Sequence, residues 1–463
     1  MCNPSSGSQQ TKRRRFADLT LLSVSIVSLA ALFALRLYAA WQLPALRTPW
    51  DDDFYRAAAR TTANTQAGLA TALNLVLPHD GLVIDERLNG YNDWLVVAIK
   101  VQRLLWLGNN EVAFHTVNTV MLLLQAVVVL LFARWSLGDR VLAWAITSLY
   151  IAVPVVFGTS RWVHTENLVL LAGVLLAGLT AWLLAAGPAH GPHPRVARVA
   201  RIVLASWGIG LCTRAREYVA PSFVVLFCCT EAVLLLRRRW LEAGLSVAIV
   251  GAFMVPWMPA VQEALRVTLG KGGQSNYFHP LAEWIPHVSL YTVGPAFTIL
   301  LLGLGAAVVH ERSRTLARLL AAGRDPARRC LRVELSGARP LFWCHLFLLL
   351  LYAATFVWSR NRVTRPAIPM MLAAFGLVLV GARTLPSLRR WLAQTPAKLI
   401  GLGLTVVAWA VLTYQLMFAF DGGKTYGHHG SRLEYFNYPL RIRPLTGPDD
   451  SHVCSEVCPY DQR

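Results

Sequence analysis

Stretches of about 20 consecutive apolar residues recur along this chain, and that recurrence constrains its fold more than any other feature. About 20 such residues are what a helix needs to cross the hydrocarbon core of a bilayer. The first stretch runs from Leu19 to Trp41, directly after Lys12-Arg13-Arg14-Arg15. Further candidate spans cover about 113–133, 141–160, 167–186, 202–213, 219–236, 243–262, 289–309, 341–358, 367–382 and 399–420, eleven in all. The 202–213 stretch is short, and its upstream flank can extend it. The expected fold is therefore an all-α polytopic membrane protein with about eleven transmembrane helices. Composition agrees, with 15% of residues charged against about 25% in typical soluble domains. That deficit argues against a soluble enzyme, a disordered chain and a coiled coil.

The formal net charge of +19 suggests nucleic acid in a soluble protein. In an apolar chain it suggests the positive-inside rule instead, and no nucleic-acid partner is expected. Only Lys12, Lys100, Lys271, Lys398 and Lys424 are lysines among the 44 basic residues, a bias towards Arg that fits GC-rich coding and a bacterial source. The basic flank of the first span puts the N-terminus in the cytoplasm. No small-residue cleavage site follows, so the span reads as a retained anchor. With eleven alternating spans, 24 basic residues fall on roughly 90 residues of inner segments, and 19 fall on roughly 160 residues outside. Acids run the other way, with 18 of 25 outside. The expected organisation is a basic cytoplasmic tail (1–18), a transmembrane domain (19–420) and a short outer tail (421–463). Within the domain lie a long first outer loop (42–112) and an Arg-rich inner loop (310–340). Residues 91–108 mix Trp94, Val97 and Trp106 with Asp93, Lys100 and Arg103, the pattern of an amphipathic helix lying at the interface.

Four constellations on the outer side carry chemical potential. Trp50-Asp51-Asp52-Asp53-Phe54-Tyr55 follows the first span. Three adjacent carboxylates repel one another, so at least one wants a partner, a metal or a raised pKa, and one could act as a general base. The bland alternative is a helix N-cap with an acidic first turn. Arg161-Trp162-Val163-His164-Thr165-Glu166-Asn167 occupies the turn between spans three and four. There His164 and Glu166 can line a cavity, or Glu166 can pair with an Arg, ligate a metal or cap the next helix. Arg214 and Arg216, beside Glu217 and Tyr218, lie between spans five and six. Guanidinium forks suit phosphate, while snorkelling anchors are the ordinary alternative. Arg360, Arg362 and Arg365 precede Pro366 and Pro369 between spans nine and ten. Three outer Arg in six residues break the positive-inside rule, which favours an anionic ligand over lipid headgroups alone.

The arrangement resembles GT-C-type membrane glycosyltransferases, most of all the protein O-mannosyltransferase and lipid A aminoarabinose transferase lineage. Those proteins carry Asp-Glu-x-x-Tyr after the first span, then small residues and Arg. Asp51-Asp52-Asp53-Phe54-Tyr55 followed by Ala57-Ala58-Ala59-Arg60 has that spacing, with Asp52 in place of Glu. Gly208-Ile209-Gly210-Leu211-Cys212-Thr213-Arg214 looks like the family's Gly-Leu-x-x-Thr-Lys segment, with Arg for Lys. Arg362-Val363-Thr364-Arg365-Pro366-Ala367-Ile368-Pro369 looks like its Arg-Tyr-x-x-Pro-x-x-Pro element, with Val363 for the aromatic residue. The resemblance covers about residues 12–400 in layout.

The resemblance implies a polyprenyl-phosphate-sugar donor, the lipid bilayer as a partner, and transfer to an acceptor glycan, lipid or protein on the periplasmic or lumenal side. It assigns Asp51 as catalytic acid, with Asp52 and Asp53 as contenders. The outer Arg residues would hold the donor phosphate, supported by Tyr55, His164, Glu166 and Glu217. A divalent metal is a candidate cofactor, with Glu86, Glu166, His279 and His287 as candidate ligands. The expected location is the bacterial inner membrane. The alternatives are a transporter or lipid flippase, or a non-catalytic scaffold. Transporters often show inverted repeats and broken helices, neither of which is evident in the sequence. Of the eight Cys, Cys454 and Cys458 form a C-x3-C pair in the outer tail, where an oxidising compartment would permit a disulfide.

Overall fold

The computed structural model describes residues 18–34, 110–159, 166–185, 194–215, 219–255, 293–321, 335–358 and 367–414, with a few isolated positions besides. Among these residues every regular element is helical. In chain order they are α1 (Asp18–Ala34), α2 (Asn110–Leu137), α3 (Arg140–Ile151), α4 (Pro154–Thr159), α5 (Glu166–Ala185), α6 (Pro194–Ala215), α7 (Ala220–Leu236), α8 (Trp240–Met254), α9 (Pro295–Ala321), α10 (Arg339–Trp358), α11 (Ala367–Thr384), α12 (Pro386–Leu392) and α13 (Thr395–Tyr414).

Each of the apolar segments read from the sequence contains described helical residues. Among the described residues three stretches are long and apolar enough to cross a membrane: Asn118–Leu137 in α2, Pro295–Arg318 in α9 and Thr395–Leu412 in α13. At 1.5 Å per residue, even the shortest of these spans about 27 Å. Their outward faces carry exposed apolar side chains, among them Leu123, Leu124 and Leu131 on α2, Leu302 on α9, and Leu399 and Val406 on α13. Apolar belts of that kind are solvated by lipid rather than water.

Proline and glycine set several boundaries. Pro154, Pro194, Pro295 and Pro386 each open a helix, where a missing N–H costs nothing. Pro154 also divides the segment expected as one span over 141–160. The helix stops at Ile151, turns through Ala152 and Val153, and resumes as α4. Gly138, at φ 74°, ends α2 in the left-handed conformation that glycine adopts freely. Asp139 then caps α3, its Oδ1 accepting the Leu142 N–H at 3.0 Å.

Two Arg-bearing segments read as loops are partly helical. Arg195, Arg198 and Arg201 belong to the first two turns of α6, and α9 continues through residues 310–321 of the Arg-rich inner segment. Arg312 on that extension stacks 3.8 Å above the Phe342 ring and donates to Thr384 Oγ1 at 3.2 Å.

Helix packing combines a continuous apolar core with hydroxyl-to-carbonyl ties of the kind used where water is absent. Ser148 Oγ donates to the Ser25 carbonyl and Thr405 Oγ1 to that of Ala145, both at 3.2 Å, while Ser136 donates to the Leu379 carbonyl. At the core, Tyr150, Phe375 and Phe297 bring α3, α11 and α9 together with ring centroids 5.3 and 5.7 Å apart.

One end of the bundle is tied by basic residues. Lys398 Nζ lies 2.7 Å from Asp18 Oδ1 and 3.0 Å from Asp139 Oδ2, linking α13 to α1 and to the α2–α3 turn. Arg237, just past α7, donates to the carbonyls of Leu184 at 3.1 Å, Leu335 at 2.9 Å and Gly337 at 2.6 Å. The Leu184 carbonyl is in the last turn of α5, which has no helical N–H left to accept. Arg383 stacks over Trp135 at 5.1 Å.

Candidate functional site

At the opposite end from those basic ties, three helix junctions carry the described part of the sequence-derived site. The first is the start of α5. Asn167, fully buried, accepts from Gln125 Nε2 through both its backbone and its side-chain oxygen, and donates from Nδ2 to the Asn118 carbonyl at 3.2 Å. Tyr150 Oη donates to Gln125 Oε1 at 3.4 Å. This amide network pins the first turn of α5, and with it the Glu166 backbone, to α2 and α3. Buried amides are held this way because an unmatched one is costly.

The second junction is the α6–α7 hairpin. Gly208 of α6 faces the Phe223 ring so closely that a Cβ would lie 3.1 Å from Phe223 Cζ and closer still to two other ring carbons. The small residue at 208 is therefore required by helix packing. Arg214 sits in the last turn of α6, and α7 begins five residues after Ala215 with Pro221 in its first turn. Tyr352 of α10 then fastens the start of α7: its Oη is 3.5 Å from the Val219 carbonyl and 2.7 Å from Ser222 Oγ.

The third junction is the α10–α11 pair. These two antiparallel helices share the Cys344–Val225 and Ser222–Tyr352 contacts with α7 and the Gly173–Leu372 contact with α5. Those pairings set four helix ends on one side of the bundle: the start of α5, the start of α7, the end of α10 and the start of α11. The segments bearing His164, Arg216 and Arg360–Arg365 are joined to those ends through the chain.

Among the sequence candidates, Glu166 and Arg214 lie on described helix backbone only. Asp51, Asp52, Asp53, Tyr55, Glu86, His164, Arg216, Glu217, His279, His287, Arg360, Arg362 and Arg365 lie outside the described residues, as do the interfacial segment 91–108 and the Cys454–Cys458 pair.

No family model, curated protein or solved structure matches the chain.

Two buried polar groups were not singled out from the sequence. Arg201 of α6 and Glu231 of α7 form an ion pair with side-chain exposures of 0% and 4%. Arg201 also lies 5.3 Å over the Phe227 ring. Beside this pair, Arg198 is 3.0 Å from Glu242 of α8, and Glu242 also bonds Arg239. The signal was available: Glu231 is the single charged residue between Val219 and Leu236, and an isolated acid in an apolar span needs a partner. The second group is His345, within the 341–358 span and 2% exposed.

Proposed function

We propose that this chain is a polytopic glycosyltransferase of the GT-C type, with about eleven spans and a cytoplasmic N-terminus. It moves a sugar from a polyprenyl-phosphate donor to an acceptor on the periplasmic side of a bacterial inner membrane. The observation that carries the reading is the order of three outer motifs: the Asp51-Asp52-Asp53 triplet after the first span, Arg214 and Arg216 after the fifth, and Arg360, Arg362 and Arg365 after the ninth. The helix arrangement supports it in one respect. The described ends that lead into the second and third motifs, and into the His164–Glu166 turn, lie on the same side of the bundle, so the motifs can serve one site.

In this mechanism Asp51 takes the proton of the acceptor hydroxyl as that oxygen attacks the anomeric carbon. The bond from the anomeric carbon to the donor phosphate oxygen breaks in the same inverting displacement. The departing lipid phosphate gathers negative charge, and fixed guanidinium groups facing that charge lower the barrier. Arg suits the role because its planar fork matches two phosphate oxygens at once. A divalent ion held by Glu86, Glu166, His279 or His287 would supply further charge at the same phosphate.

The test is transfer of labelled sugar from a polyprenyl phosphate in proteoliposomes. Asp51→Asn should abolish transfer while leaving the helical spectrum intact. Unchanged transfer in Asp51→Asn, Asp52→Asn and the double variant sinks the base assignment. Cysteines placed near 52 and 362 should both label from outside, and labelling of either from inside overturns the topology.

A transporter or flippase is the second reading, and one observation favours it. α3 is interrupted at Ala152–Val153, just before Pro154, and such breaks occur at transporter binding sites. Uptake of a polyprenyl-phosphate sugar without any transfer product would select this reading.

A further inference from the structure

Five helices converge on a small cavity that the proposed transfer reaction does not use. It holds about 30 Å³ and is lined by Phe132 of α2, Gly173 of α5, Ser222 of α7, His345 of α10 and Gly376 of α11. His345 is the titratable group on its wall, and neither ring nitrogen has a hydrogen-bond partner among the described residues. The imidazole lies directly on Gly376: a Cβ there would come within 2.6 Å of Nδ1 and 2.7 Å of Nε2. Glycine at 376 thus makes the room that the ring occupies.

A buried imidazole with two idle nitrogens is unfavourable, because one nitrogen must donate and the other accept. Ser222, which lines the same cavity, supplies a matching group. Ser222 Oγ lies 2.7 Å from Tyr352 Oη, which in turn reaches the Val219 carbonyl at 3.5 Å. With Tyr352 donating to Val219 and Ser222 donating to Tyr352, the Ser222 oxygen retains an accepting lone pair. The volume also fits, since a water needs about 10–15 Å³ and two to four polar partners.

We propose that this cavity is a water-binding site, in which one or two waters join the His345 imidazole to the Ser222–Tyr352 hydroxyl pair. The chain of hydrogen bonds runs from the Val219 carbonyl, at the start of α7, to the bundle interior. Exchange within it moves no net charge: the cavity water trades protons with the His345 ring and with the Ser222 and Tyr352 hydroxyls, while the Val219 carbonyl, which carries no exchangeable proton, only accepts a hydrogen bond. The inference is independent of the glycosyltransferase reading, since it rests on the described helices alone.

Solid-state NMR of the full chain in proteoliposomes, with histidine labelled by 15N, tests it. The chain has 12 His, so the His345 signals are assigned by their loss in His345→Gln. The expected result is a cross-peak between a His345 ring nitrogen and water, with the ring N–H exchanging into D2O at least tenfold faster than in a Ser222→Ala/Tyr352→Phe variant. Absence of the water cross-peak overturns the site. An unchanged exchange rate in the double variant overturns the path. Thermal unfolding of His345→Leu gives a second measurement. A dry cavity predicts a higher Tm for Leu, so a raised Tm refutes bound water and a Tm that does not rise supports it.

Discussion

Removing the Glu231 carboxylate should cost more than any other single substitution in the described helices. Its partner Arg201 has a side-chain exposure of 0%, so Glu231→Leu leaves a guanidinium in the bundle with a ring beneath it and the like charge of Arg198 nearby. Breaking a buried pair from one side costs about 3–5 kcal/mol. Arg201→Met should cost less, because Glu231 still feels the attraction of Arg198, although Glu242 opposes it. The double variant Arg201→Met/Glu231→Leu removes both desolvation penalties. Apolar replacement of whole buried pairs is often neutral or stabilising by about 1–4 kcal/mol, so the double should unfold at or above the wild-type midpoint. The coupling energy would then exceed the roughly 3 kcal/mol upper end seen for ordinary contacting pairs. Equilibrium unfolding in mixed micelles, followed by the fluorescence of the 16 Trp, measures all four corners of the cycle. A double variant that loses the sum of the two single losses would refute the reasoning. So would a Glu231→Leu loss below about 1 kcal/mol, which would mean that water reaches Arg201.

Three further outcomes follow from local geometry. Arg238, at φ 61°, occupies the left-handed position after α7, in a turn closed by Arg238 N–H to the Leu235 carbonyl and Arg239 N–H to the Leu234 carbonyl, both 2.9 Å. Arg238→Gly should therefore raise stability by about 1 kcal/mol in the same unfolding assay, since glycine is the usual residue there. Gly208→Ala should lose about 1–3 kcal/mol through overpacking against Phe223, and Phe223→Leu in the same chain should recover part of that loss. Lys398→Met should free the start of α1 at a cost of about 1–3 kcal/mol. Hydrogen exchange should then accelerate in residues 18–34, with α10 unaffected as the internal control.

The helices were legible because apolar runs of bilayer length leave the backbone little choice. Their ends were less so. The apolar count passed over Pro154 and joined α3 to α4, because hydropathy does not register a missing N–H. It also began the fifth span near 202, because Arg195, Arg198 and Arg201 look like loop residues when each charge is taken alone. Helical spacing places Arg198 and Arg201 on the face that carries Ile202, Ala205 and Ile209, and there Arg201 meets Glu231. Pairings of this kind depend on which helices become neighbours, and a single chain read linearly does not specify that. The candidate site divides in a similar way. The Gly208–Arg214 segment is seen on α6, where the requirement for Gly208 proves to be packing against Phe223. The acidic triplet and the third Arg cluster remain sequence inferences.

This division sharpens what a mutagenesis survey of the basic residues would mean. Arg201, Arg237, Arg312 and Arg383 already have structural work: an ion pair, three carbonyls, two stacked rings with a hydroxyl, and an indole face. Replacing any of them should change unfolding before it changes substrate binding, so activity lost in those variants says nothing about a phosphate site. Arg to Lys is the more informative substitution at Arg214, Arg216, Arg360, Arg362 and Arg365. Lysine keeps the charge and the snorkelling stem but loses the planar fork. A topological or lipid-anchoring arginine tolerates that exchange, whereas one that grips two phosphate oxygens does not. In the transfer assay, a binding arginine should show a raised KM for the lipid donor, or a lowered kcat if the grip tightens as charge develops, with the unfolding midpoint unchanged. If all five Lys variants keep wild-type kcat and KM, the outer arginines serve the bilayer, and the phosphate contact assigned to them is wrong.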